Sequence, residues 1–189
     1  MKPVTRLAGV LLLGVLPVSA LLAPGGSIPL PSSTAATEPD LAGVVQHDAL
    51  IPFVIKDTLG RVLCRGQLQD RVVRSTKSGR LHFYYRIRGG RKFLRSAIRI
   101  VTTDNFDTDT LSVGWRLDGL GTVNPTTASR TATGETIEFA FKDPVLRCGA
   151  ESRFFFIKTN AEKFVSGGMT KLALTTGESV SLKTVMPAP

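Results

Sequence analysis

Arginine is the residue with the most chemical potential in this chain, and it is unevenly spread. The stretch GRLHFYYRIRGGRKFLRSAIRI, Gly79 to Ile100, holds Arg80, Arg86, Arg88, Arg91, Lys92, Arg95 and Arg99 and no carboxylate. From Arg61 to Arg99, ten arginines and two lysines face a single acid, Asp70, a net of +11 in a chain that totals +9. The rest of the chain therefore sums to −2. A guanidinium is planar, permanently charged and donor-only, and its fork matches carboxylate, sulfate or phosphate. Two readings follow. One is a solvated sheet face that gives solubility and discourages edge pairing. The other is a surface for an anionic polymer, a cell-envelope component or an acidic protein. Nucleic acid is disfavoured, because base stacking needs exposed aromatics among the cations, and only His82 and Tyr84 fall in the polar phase.

Other chemistry is sparse. Cys64 and Cys148 are the two cysteines, and in an exported protein they are candidates for a disulfide, with two separate buried thiols as the alternative. Neither has a second ligand at metal-site spacing. The cluster TTDNFDTDT carries Asp104, Asp107 and Asp109, oxygen ligands suited to calcium but without the EF-hand spacing. Turn capping is the commoner use of such residues. His47 and His82 are the only histidines, and no nucleophile elbow, zinc-protease helix or phosphate loop is present. No cofactor is expected. Two carboxyl groups within about 5 to 10 Å in a cleft would support glycan hydrolysis, an arrangement that leaves no sequence spacing.

These residues must be positioned by strands. Leu81, Phe83, Tyr85 and Ile87 alternate with His82, Tyr84, Arg86 and Arg88, so one face is apolar and the other cationic. The same period runs through Val62, Cys64, Leu68 and Val72 against Arg61, Arg65, Gln67, Gln69 and Arg71. It recurs in Leu111, Val113, Trp115 and Leu117, and in Ile137, Phe139 and Phe141. Turn formers punctuate the runs at Asp57–Gly60, Ser75–Gly79, Gly89–Gly90, Thr133–Gly134, Gly167–Gly168 and Thr176–Gly177. The pattern predicts an all-β antiparallel sandwich, Ig-like or jelly-roll-like. If Ser75–Gly79 and Gly89–Gly90 are both hairpin turns, three strands lie side by side. Arg65, Arg71, Arg86, Arg88 and Arg99 would then form one exposed anion-binding patch.

The N-terminus has the order of a secretory signal: Lys2 and Arg6, an apolar run from Leu7 to Val18, then Val18-Ser19-Ala20. A membrane-spanning helix needs about 20 apolar residues, and Pro17 interrupts this shorter run. Residues 1–20 are therefore expected to be removed, with no transmembrane segment left and a secreted or periplasmic address. Residues 21–40, rich in Pro, Gly, Ser and Thr, read as a flexible linker. The sandwich is expected over 41–185, followed by a tail, 186–189.

The order GRLHFYYRI, DNFDTDTLSVGWRLDGLG, ASRTATGETIEFAF and ESRFFFIKTNAEKF resembles small exported bacterial β-proteins related to the exosortase-sorted (PEP-CTERM) group. The likeness covers about residues 43–185 and rests on strand patterns and turns. It implies a surface or matrix role. The chain departs from that group at SLKTVMPAP, which has no Pro-Glu-Pro motif, apolar anchor or basic tail, so release or periplasmic residence is expected instead.

The expected function is that of an exported, non-enzymatic β-sandwich that binds an anionic polymer or envelope component through its arginine face. A small hydrolase with paired carboxylates is the alternative. N-terminal sequencing of protein from an exporting host should give Leu21 as the first residue, or Pro24 where cleavage falls after Ala23 instead, and an intact Met1 would contradict the signal reading.

Overall fold

The computed structural model describes residues 19–90, 96–107 and 110–188. Most of the expected signal segment, Arg91, Lys92, Arg95 and Asp109 lie outside them. Among the described residues the strands are β1 (Ala20–Leu21), β2 (Ser27–Pro29), β3 (Ser32–Ser33), β4 (Gly43–Lys56), β5 (Val62–Ser75), β6 (Leu81–Gly89) and β7 (Ala97–Thr103). They continue as β8 (Ser112–Arg116), β9 (Thr127–Arg130), β10 (Ile137–Ala140), β11 (Leu146–Arg147), β12 (Phe155–Lys158), β13 (Phe164–Leu174) and β14 (Ser179–Pro187). Two sheets pack face to face as an all-β sandwich. Sheet one runs β1-β8-β12-β6-β5-β4, with β3 also on β8; sheet two runs β14-β13-β7-β10-β9-β2, with β11 also on β7. Only β3 against β8 is parallel among the named strand pairs. No helix of the described residues is long and apolar enough to cross a membrane.

The period-2 pattern sets the core. Leu81, Phe83, Tyr85 and Ile87 of β6, Cys64, Leu68 and Val72 of β5, and Ile137, Phe139 and Phe141 all lie buried between the sheets. Phe139 and Phe155 meet there with ring centroids 4.8 Å apart, one from each sheet. Cys64 and Cys148 are joined in a disulfide, Cα atoms 5.5 Å apart, which ties β5 of sheet one to the segment leaving β11 of sheet two.

The turns at Asp57–Gly60 and Ser75–Gly79 connect β4 to β5 and β5 to β6 as hairpins. Two other expectations fail. Gly89–Gly90 is no hairpin turn: the chain leaves sheet one there and returns as β7 in sheet two. Gly167–Gly168 is a bulge inside the β13–β14 pairing, which shifts register between Ser166 and Gly168. The C-terminal boundary also moves, since β14 runs to Pro187, opposite Phe164.

Residues 21–40 are part of the sandwich rather than a loose linker. β1 lines the edge of sheet one and β2 the edge of sheet two, and Leu22 and Leu30 are buried between them. Arg130, only 4 % exposed, fixes this segment by donating to Leu22 O, Gly134 O and Phe106 O at 3.3, 2.7 and 2.8 Å. Composition averages over the segment and so conceals two well-placed leucines, Leu22 and Leu30, each in a buried site.

Closing a loop of 84 positions is worth roughly 4 kcal/mol through the unfolded state. Replacing both Cys64 and Cys148 with Ser should lower the unfolding free energy by about that amount. Denaturant midpoints unchanged from the oxidised protein would contradict it.

Candidate functional site

The outward phase of β6 is His82, Tyr84, Arg86 and Arg88, and the register sets Arg71 opposite Tyr84, Gln69 opposite Arg86 and Gln67 opposite Arg88. This face is covered, not wet. His82 and Tyr84, the two aromatics expected on the polar face, are 1 % and 3 % exposed, and Arg86 is 5 % exposed. The reason lies in two covering elements. Residues 33–42 cross the face at one end, and the run Phe154-Phe155-Phe156 supplies apolar groups to both sides of sheet one. Phe155 enters the core between the sheets, while Phe154 and Phe156 join Leu41, Val73 and Tyr84 in a second small cluster outside it.

The crossing segment is held by polar contacts. Tyr84 Oη donates to Leu41 O at 3.3 Å, and burial pushes its pKa up to about 12, so the phenol keeps that proton. Asp40 accepts from Ser75 and Ser78, both at 2.6 Å, and lies 3.2 Å from Lys158. Glu38 accepts from Ser33 and Lys158. Burial opposes the charge of both acids, but these partners outweigh it and hold both pKa values low. Burial also lowers the pKa of His82, against the opposing pull of Asp40, 3.3 Å away.

At the other end the face opens into a cleft of about 440 Å³, lined by Arg71, Arg86, Arg88 and Arg116 among apolar walls from Tyr84, Leu120 and Phe154. That volume lies within the range of small-ligand sites. The guanidiniums of Arg71 and Arg86 lie over the Phe154 ring at 4.9 and 5.7 Å, a cation–π arrangement that fixes both. Each also has an acid: Asp48 for Arg71 at 2.6 Å, and Glu151 for Arg86. Arg116 grips Asp118 through two bonds, at 2.7 and 2.8 Å. Hydrogen bonding from Arg116 keeps Asp118 ionised, as that from Arg71 does for Asp48. Arg88 makes no ion pair with any described residue.

The far wall is the turn Leu117–Gly121. Arg153 Nη1 donates to Leu117 O at 2.8 Å, and Ala35 N donates to Asp118 Oδ2 at 3.1 Å. Gly121 has φ +97°, and a Cβ there would stand 2.0 Å from Ser152 O, so only glycine allows this wall to meet the 148–153 segment. That segment starts at the disulfide, bonds β6 through Ser152 and Ile87, sets Glu151 against Arg86 and delivers Phe154 to the cleft.

The expected single patch is therefore not what forms. Arg71, Arg86 and Arg88 converge, but in a cleft with Arg86 buried. Arg65 stands beyond Arg88, in a separate shallow groove with Pro52 and Val54. Arg99 is exposed on β7 in the other sheet, because the Gly89–Gly90 hairpin does not form. Acids from outside the basic segment also come to meet it: Asp57 pairs with Arg61 and Glu162 with Arg80, besides Asp48 and Glu151. Among the calcium candidates, Asp104 accepts from Thr136 at 2.9 Å, Asp107 is exposed, and Phe106 between them is fully buried. Among the described residues no three His, Cys, Asp or Glu side chains converge as metal ligands.

The burial of one ionisable residue, counted in the sequence only as the single acid of the basic segment, escaped the sequence reading. Asp70 sits in the inward phase of β5, fully buried, accepting from Val185 N at 2.9 Å, with His47 Nε2 at 3.7 Å. Its signal was an acid at an apolar position, between Leu68 and Val72. Burial raises its pKa to about 6, against the Val185 bond and His47, with Asp48 adding to the rise. The folded state therefore holds this proton more tightly than the unfolded chain, and stability falls as pH rises from about 4 to 6. Asp70→Asn keeps an acceptor for Val185 N–H. It should stabilise the protein at pH 7.5 by about 2 to 3 kcal/mol and flatten that part of the pH–stability curve. Parallel curves for the two proteins would contradict this.

Comparison with family models, with curated proteins and with solved structures finds no match to this chain.

Proposed function

We propose that the protein is an exported, non-enzymatic β-sandwich that binds the acidic group of an envelope or extracellular component in the arginine cleft. The observation that carries this reading is Arg88: it lines a cleft among three other guanidiniums, and it alone of the four lacks an acid partner among the described residues. Export is supported by the charged, apolar and small-residue order of residues 1–20 and by a disulfide, which persists in oxidising compartments. Cleavage after Ala20 would leave Leu22 seated in its buried site, with its N–H on Leu111 O at 3.0 Å. The likeness to exosortase-sorted β-proteins adds a surface or matrix setting to the same reading.

Carboxylate placement favours binding over hydrolysis. Among the described residues Asp118 is the one carboxylate lining the cleft, and Arg116 occupies it. Asp70, with its raised pKa, and Asp48, with its lowered one, would suit an acid–base pair by pKa alone. They lie on opposite faces of sheet one, Asp48 bonded to outward Gln69 and Arg71 and Asp70 turned inward, so they cannot flank one bond.

The test is binding of an acidic oligosaccharide, trigalacturonate, to the domain. Arg88→Gln should weaken it about tenfold or more, the scale of a charge-assisted hydrogen bond, while Arg99→Gln on the other sheet leaves it unchanged. Added salt should weaken it as the Debye length shrinks from about 10 Å at 0.1 M to 3 Å at 1 M. Equal affinity in the Arg88→Gln and parent proteins would overturn the reading.

A further inference from the structure

The charges and walls of the cleft go further than "anionic" and point to one kind of ligand; the inference rests on the binding function proposed above. Four guanidiniums, Arg71, Arg86, Arg88 and Arg116, are answered by three carboxylates, Asp48, Glu151 and Asp118. One positive charge remains, on Arg88. A polyanion placing several acidic groups along this face would meet Asp48, Glu151 and Asp118 as well as the arginines, and like charges brought together cost affinity. A ligand with a single acidic group meets no such penalty.

Donors also exceed acceptors. Among the described residues the Nε atoms of Arg71, Arg86 and Arg88 are buried without an acceptor, out of reach of a ligand as of water. Guanidinium groups donate and cannot accept, so a ligand group set against Arg88 in the cleft must be an acceptor, and a carboxylate supplies one without adding a donor.

The opposite wall is apolar and presented to solvent. Leu120 lines the cleft yet is 70 % exposed, at the tip of a turn fixed by Arg153, Asp118 and Gly121. A large aliphatic side chain held out on a rigid turn, facing Phe154 and Tyr84, gains free energy when an apolar body covers it.

We infer that the cleft takes a monoanionic amphipathic acid, its single carboxylate on Arg88 and its apolar body between Leu120 and Phe154.

The probe is 4-phenylbutyrate, compared with its uncharged amide and with trigalacturonate, on the disulfide-bonded domain by calorimetry and by amide shifts of Gly119, Leu120 and Phe154. Phenylbutyrate should bind at least tenfold more tightly than either comparator. Arg88→Gln should lose about tenfold, and Leu120→Ser about three- to tenfold. Leu120 is a surface residue, so retention of the parent thermal transition in Leu120→Ser confirms that folding is intact. Trigalacturonate binding that depends on Arg88, with phenylbutyrate weaker or Leu120→Ser without effect, would overturn the monoanion inference while leaving the binding function standing. No Arg88-dependent binding of either probe would overturn both.

Discussion

Strand β6 is buried on both faces from Leu81 to Ile87, and the site depends on that constraint. Its inward residues build the space between the sheets, as expected for any sandwich. Its outward residues lie beneath Leu41 at one end and beside Phe154 and Phe156 at the other. A strand buried on both sides cannot leave its polar groups to water, so each must find a partner within the protein. Tyr84 finds Leu41 O, Arg86 finds Glu151, and His82 sits against Asp40. Arg88 stands where the cover ends and the cleft begins, and so retains a free charge.

The same constraint explains why a segment of net +11 does not produce a broad cationic surface. Burying a guanidinium without an acid costs several kcal/mol. Strand register and the returning chain supply acids where arginines are covered. Asp48 arrives from β4, and Glu151 from the segment that the disulfide anchors beside β6. Charge concentrated along the chain is thereby spread and neutralised in space. What remains is local and directional, which suits recognition of one group better than attraction of a long polymer.

The sandwich itself was legible in the sequence because strand period, turn residues and an even cysteine pair all point the same way. Leu81 to Ile87 and Ile137 to Phe141 needed no tertiary information beyond alternation, whereas Cys64 and Cys148 stayed open between a bond and two thiols until the two sheets brought them together. The cleft was legible only in part. Arg71, Arg86 and Arg88 share a face because β5 and β6 form a hairpin, a local matter. Arg99 leaves that face because β7 joins the other sheet, which alternation cannot reveal. The cover was hidden for a similar reason: residues 33–42 look structureless by composition, and their burial depends on contacts with strands far along the chain. Two signals were nevertheless present. Three consecutive phenylalanines mark a strand apolar on both faces, and Asp70 at an inward position marks a buried acid.

The central claim is that this covered face leaves one unneutralised guanidinium, Arg88, at the mouth of an apolar cleft. Anomalous diffraction from crystals of the domain soaked in bromide tests it most directly, because a halide reports local positive potential without favouring any ligand shape. The account predicts a bromide site within contact distance of the Arg88 guanidinium and none on Arg71, Arg86 or Arg116. Bromide seated on those paired arginines, with Arg88 unoccupied, would contradict it.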